Sequence, residues 1–384
     1  MKSHTRLPLA LLPSLPLLLS ACADPATPVV ETYAELAFAS YDESWRQALT
    51  VQAAIEQLVA TPSQTTLEVA RQTWLSARNV YGQTEVFRFY GGPIDDPVAG
   101  PEAFINAWPL DEAYIDYVEG NPTAGVINQP EEYPTLDTDL VLALNERGGE
   151  TNISAGWHAI EFLLWGQDLN ADGPGDRDWQ DYLPDAEGGA PYAERRGQYL
   201  LLVTELLVRH LEDVRNAWDP ALTDNYRVTF LADDRQSSLQ KILVGMGSLS
   251  GAELAGERIY VAYESRDQED EHSCFSDNTT ADIVGNMQGI ANMWNGSFGS
   301  VQGTGLKALI EERDPTVAAA LNAAIEASLT AVKAIPAPFD QHLKAPDDDP
   351  GRQSLLNAVE ALEAQTELTV EAASALELTI NIGT

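Results

Sequence analysis

The chain is poor in the residues that build disulfide frameworks, histidine-rich metal sites and nucleic-acid surfaces. Of 384 residues, two are cysteine and five are histidine, while 22 Lys and Arg stand against 59 Asp and Glu. The formal charge of -37 repels phosphate backbones, excludes nucleic acid as a partner and draws cations toward the surface. With so few histidines, any metal site must use mostly carboxylate oxygens. That shifts the expected ion toward iron, manganese or calcium and away from zinc or copper. Beyond the first 22 residues, no apolar run reaches the roughly 18 residues that a membrane-spanning helix needs. There is no G-x-S-x-G, P-loop or Rossmann glycine pattern, so nucleophilic hydrolysis and nucleotide binding have no support. Alternating strand-like runs are scarce.

What is present begins with a targeting segment. Lys2 and Arg6 precede the apolar "LPLALLPSLPLLLS", which ends in "LSAC". That ending resembles the lipobox of bacterial lipoproteins. Residues 1–21 are expected to be a lipoprotein signal peptide and Cys22 the acylated first residue of the mature protein. Ala23 is compatible with sorting to the outer membrane, with the inner membrane as the alternative. Acylation of Cys22 leaves Cys274 alone, so no intramolecular disulfide can form and packing must supply the stability. Residues 22–30 read as a tether.

The rest shows helical spacing. Leu239, Ile242, Leu243, Met246 and Leu249 form a stripe of period 3.6, and the stretches 192–218 and 354–378 repeat the pattern. The reading is an all-α fold of about eight to ten helices. A seam near "WDPALTDNY" divides it into an N-terminal helical bundle, residues 31–220, and a C-terminal one, residues 221–384.

The chemistry centres on "SAGWHAIEFLLWGQD" (154–168), an apolar run broken by His158 and Glu161. Positions i and i+3 share a helix face, so the two can address one object. An imidazole and a carboxylate so placed suit a metal ion; a hydrogen-bonded core pair is the plainer reading. The zinc-protease pattern H-E-x-x-H is absent, because Ala159 follows His158. Upstream, Arg78, Tyr81, Glu85 and Arg88 fall three or four apart, on one side of a helix. They read as a solvated salt-bridge face, or as Glu85 completing the metal site with Arg78 and Arg88 holding carboxylates in place. Downstream, "EDEHSCFSDNTTAD" holds Glu271, His272, Cys274, Asp277 and Asp282. It reads as an acidic surface or a second ligand patch, with Glu271, His272 and Asp277 the candidates. "DLNADGPGDRDW" starts like a calcium loop but has Trp179 where a bidentate glutamate is required, which favours a simple turn.

"TEVFRFYGGPID", "INAWPLDEAYIDYV", "GWHAIEFLLWGQD" and "EDEHSCFSDNT", in this order, resemble the imelysin family and its iron-regulated branch. Gly156, His158 and Glu161 match the family's G-x-H-x-x-E motif. The resemblance implies two four-helix bundles with the motif lining a cleft between them, in a periplasmic or outer-membrane lipoprotein. It also implies a link to iron uptake and, for part of the family, metallopeptidase activity with Glu161 as ligand or general base. The expected function is a lipid-anchored periplasmic protein that captures iron, free or chelated, at His158, Glu161 and Glu85. Zinc or calcium are the less favoured ions, iron-transport proteins the expected partners, and the lipid anchor the sole membrane contact. An imelysin-type metallopeptidase and an acidic protein-interaction module are the alternatives.

Overall fold

The computed structural model describes residues 24–382, so the signal peptide and Cys22 lie outside the described residues. The fold is all-α. Its one sheet among the described residues is a hairpin of two-residue strands, Ser297–Phe298 and Val301–Gln302. The frame consists of α1 (Ala26–Ala60), α2 (Gln64–Tyr81), α3 (Trp157–Trp165), α4 (Ala193–Trp218), α5 (Arg235–Ser248), α6 (Thr279–Asn295), α7 (Pro315–Lys333) and α8 (Pro350–Ala375). The tether expected up to residue 30 is shorter than that. Residues 26–30 already belong to α1, and Val29 and Val30 are buried, because two β-branched apolar side chains gain more from the core than from water.

Local signals set several helix starts. Ser63 and Thr66 form a reciprocal capping box for α2. Asp314 caps α7 and Asp349 caps α8, each followed by a proline at the first helical position, where the missing N–H costs nothing. The stripe Leu239, Ile242, Leu243, Met246, Leu249 is buried throughout, as its period requires.

In the first half, α1 packs along both α2 and α4, with α3 against α2 and α4. In the second, α7 packs on α8 and α6. The halves join where a 3-10 helix, Gly82–Phe87, continues α2 onto α6. Gly289 of α6 permits this approach, since a Cβ there would lie 2.5 Å from the Gln83 carbonyl oxygen, and Gly245 of α5 does the same against the Val86 carbonyl oxygen (2.6 Å). α5 then runs into a π-helix, Leu249–Tyr260, that packs on α8. Sequence periodicity gives no warning of this segment. Its wider turn re-aims side chains, and such insertions often accompany functional sites.

The long loops between α2 and α4 are tied down by one buried carboxylate. Asp116 accepts from Arg196 Nε (2.6 Å) and Nη2 (3.0 Å), Arg177 Nη1 (2.9 Å) and Asn128 Nδ2 (3.0 Å). Burial alone would raise its pKa, but the two guanidinium groups hold it below the ordinary carboxylate range. Replacing Asp116 by Ala leaves two buried cations without their shared counter-charge, and should cost about 3–5 kcal/mol in urea unfolding. The depressed pKa also fixes the sign of the pH dependence. The contribution of Asp116 is complete above about pH 4 and is lost as pH falls toward its folded value. The drop in urea midpoint between neutral pH and pH 3 should therefore be smaller in Asp116→Asn than in the wild type; an equal drop would refute the assignment.

Candidate metal centre

α3 starts at Gly156, whose φ of +91° suits glycine and where a Cβ would lie 2.6 Å from the Ile105 carbonyl oxygen. This close seat lets the Trp157 carbonyl accept from Trp74 Nε1 of α2 (3.2 Å). It also carries His158 and Glu161 into the interior, one turn apart. His158 Nδ1–H donates to Glu161 Oε2 (2.9 Å). Glu161 Oε1 accepts from the backbone N–H (3.0 Å) and the hydroxyl (2.6 Å) of Ser276. The motif pair, expected to line a cleft, is instead enclosed: His158 is 1% exposed and Glu161 0%.

Arg78, near the end of α2, brings the other groups to this pair. Its Nε (3.2 Å) and Nη2 (3.1 Å) donate to Asp282 Oδ2 on α6, and its Nη1 donates to Asn106. Nη2 also faces His158 Nε2 (3.4 Å) and the His272 ring, 3.3 Å from its Nδ1 and 3.5 Å from its Nε2. His272 Nδ1–H donates to Asp282 Oδ2 (3.0 Å), and the two imidazole centroids lie 4.9 Å apart. A guanidinium can only donate. His158 Nε2 therefore presents a lone pair and its Nδ1 carries the proton toward Glu161, while His272 Nδ1 carries its proton toward the ionised Asp282, which leaves its Nε2 the lone pair. Metal-binding histidines are commonly oriented in this way.

The electrostatics agree with that tautomer. Burial, reinforced by Arg78, pushes the His158 pKa well below its usual value. Burial and Arg258 bring His272 down to about 4, so both rings are neutral at physiological pH. Burial would raise the Asp282 pKa, but Arg78, His272 and Ser273 hold it far below the carboxylate range. Burial pushes the Glu161 carboxyl up to about 8 against the pull of the Ser276 hydroxyl, so at neutral pH it holds His158 mostly as a neutral carboxyl group.

Glu85 is not gathered with His158 and Glu161. Its Oε2 accepts from Arg258 Nη2 (2.6 Å) on the π-helix and Arg88 Nη1 (2.8 Å). Arg258 also donates to Glu253 (2.6 Å), and Arg88 pairs with Glu102 (3.0 Å). The one-helix reading of Arg78, Tyr81, Glu85 and Arg88 fails, because α2 ends at Tyr81 and Glu85 lies in the 3-10 helix. Nor is this a solvated face, since Arg78 and Glu85 are both 1% exposed. The downstream patch divides: His272 and Asp282 join Arg78, while Glu271 and Asp277 face a separate carboxylate group. Among the described residues, no three His, Cys, Asp or Glu side chains are gathered as a ready coordination shell. Asn106, Ser273, Ser276 and Arg258 had no signal in local spacing, since each reaches the centre from a distant segment.

The arrangement sets two neutral imidazoles, held by the Glu161 and Asp282 carboxyl groups, beside one cationic point. These features define an all-α protein whose halves meet over a buried histidine, carboxylate and arginine centre. The chain belongs to the imelysin family: the family's sequence model, described as peptidase M75, imelysin, matches residues 37–369. Iron-regulated protein A of Synechococcus elongatus is 25% identical over 330 residues, covering 83% of this chain and 78% of that protein. The fold is similar to the crystal structure of a Parabacteroides distasonis protein assigned as an iron-regulated protein A precursor. That match has a TM-score of 0.71 at 19% identity, covering 92% of this chain and 97% of that one. It is also similar to an imelysin-like protein from Psychrobacter arcticum, with a TM-score of 0.65 at 14% identity over 94% and 99% of the two chains.

The two charge arrangements predict different mutational costs. Glu85→Ala leaves Arg258 short of a buried counter-charge and should destabilise by about 3–5 kcal/mol. Glu161→Gln keeps an oxygen for Ser276 and should cost about 1 kcal/mol. Equal losses of urea midpoint in the two variants would contradict the assignment of Glu85 to the structural ion pair.

Proposed function

We propose that the protein captures iron as cargo outside the cytoplasm, tethered to the outer membrane through an acylated Cys22, and passes it to iron-transport partners. The observation that carries this reading is the gathering of the His158 and His272 imidazoles around Arg78 Nη2, beside Asp282. The guanidinium holds a cation's position among donors suited to iron. When Arg78 moves aside, an iron ion takes that position against the two imidazoles, with Glu161 and Asp282 bracing the rings from behind. The relative's name, iron-regulated protein A, supports the same reading, as does a net charge of -37 that raises the local cation concentration. Glu85 has no part in binding the cargo. The metallopeptidase alternative has weaker support, because both Glu161 oxygens are already engaged and a general base needs a free lone pair directed at water.

The test is iron retention after desalting, read by elemental analysis, with zinc, manganese and calcium offered in competition. Wild-type protein should retain iron, and His158→Ala and His272→Ala should each lose it. Arg78→Gln should hold iron at least as tightly, because the competing cation is gone. Retention unchanged by both histidine substitutions would overturn the proposal.

A further inference from the structure

The loop that follows the π-helix supplies His272, Ser273 and Ser276 to the Arg78 centre, but Glu271 faces elsewhere. Its side chain is 0% exposed, neither carboxyl oxygen makes a hydrogen bond of good geometry, and the Thr279 hydroxyl is the neighbouring donor that pulls its pKa down against burial. Asp340, on the short helix Phe339–Leu343, is also buried and has an unpartnered Oδ1. Asp340 and the half-buried Asp277 and Asp168 lie close enough to act electrostatically on Glu271. Gln268 ties the group together: its amide donates to Asp168, and its carbonyl accepts from Lys344 Nζ (2.5 Å). Lys344 Nζ stands 3.8 Å from Asp340 Oδ2. One partly exposed ammonium thus stands beside Asp340 in a group of four carboxyl groups, and the two most deeply buried keep oxygens without a hydrogen bond. Such oxygens are strongly disfavoured unless a cation or a proton meets them.

We propose that Glu271 and Asp340 hold a hydrated divalent cation, with Asp277 and Asp168 supplying further negative charge around it. Three carboxylates do not close into an inner shell here, so the ion keeps most of its water. Hard cations of the magnesium class bind in this manner, through one or two carboxylates. The site is separate from the Arg78 centre in chemistry as well as place. It offers only oxygen, whereas the other offers imidazole nitrogen.

Manganese(II) is the probe, because loss of its free-ion electron paramagnetic resonance signal counts bound metal directly. In the mature protein carrying His158→Ala and His272→Ala, one equivalent of manganese should still bind, and excess magnesium should displace it. Adding Glu271→Gln and Asp340→Asn should weaken binding by at least about tenfold. Asp277→Asn alone, at a half-buried position, should weaken it by a smaller factor and serves if the double substitution fails to fold. Manganese should also raise the melting temperature of the wild type and leave that of Glu271→Gln/Asp340→Asn unchanged. Absence of uptake by the histidine variant, or uptake indifferent to the carboxylate substitutions, would overturn the proposal. Neither result would bear on iron at His158, which is absent from the tested background.

Discussion

A guanidinium buried away from water must be surrounded by acceptors, and the placement of Arg78 organises the middle of this molecule. Its acceptors come from segments far apart in the chain: Asn106 from a loop, His158 from α3, His272 from the loop after the π-helix, and Asp282 from α6. Each must be in place for the charge to be tolerated, so one interaction couples the assembly of both halves. The close approach of Gly156 to the Ile105 carbonyl and the capping of Asp282 by Ser273 and Asn278 serve the same convergence. Glu85 with Arg258 and Arg88 adds a second buried ion group across the same junction. Buried ion pairs are weak sources of net stability but strict about geometry, which here fixes how α2, α6 and the π-helix meet.

The all-α frame was legible because burial in helices leaves a period that sequence displays directly. The buried stripe from Leu239 to Leu249 is one case, and the capped starts of α7 and α8 are others. The His158 and Glu161 pair was legible for the same local reason: i and i+3 share a face wherever the helix lies. The third member was not. Spacing placed Glu85 on a continuous helix with Arg78, but the chain tightens to a 3-10 helix after Tyr81 and Glu85 turns toward Arg258, 173 residues away. His272 and Asp282 lay in a stretch that composition alone read as an acidic surface or ligand patch, and the fold drew its members in two directions. Long-range pairing of charges carries no period, so it leaves no trace in a single sequence.

The two groups of buried polar residues differ in how their charge is balanced. Around Arg78, every strong charge has a partner, and the imidazoles stay neutral because burial and nearby cations oppose their protonation. Around Glu271, carboxylates outnumber the single ammonium of Lys344. The first arrangement is complete as it stands and must be opened to accept anything. The second is left short of positive charge, which is the basis for the cation proposed there. The donor chemistry of the two groups therefore differs, with imidazole nitrogen in the first and only oxygen in the second.

Charge balance also constrains what the Arg78 centre can take in. If Arg78 withdraws, Asp282 is left buried with its main counter-charge gone, which is among the more costly events in a protein interior. An entering metal cation restores that charge as the guanidinium leaves, so the exchange of one cation for another proceeds without isolating Asp282. An anionic iron chelate does the reverse, adding negative charge beside a carboxylate that has just lost its partner. It would have to keep Arg78 in place to bind at all, and His158 and Glu161, shielded from solvent, present no open face to it. For the iron capture proposed above, the same charge balance favours a bare or hydrated ion over a chelate as the cargo, with any chelator released before the ion meets the histidines.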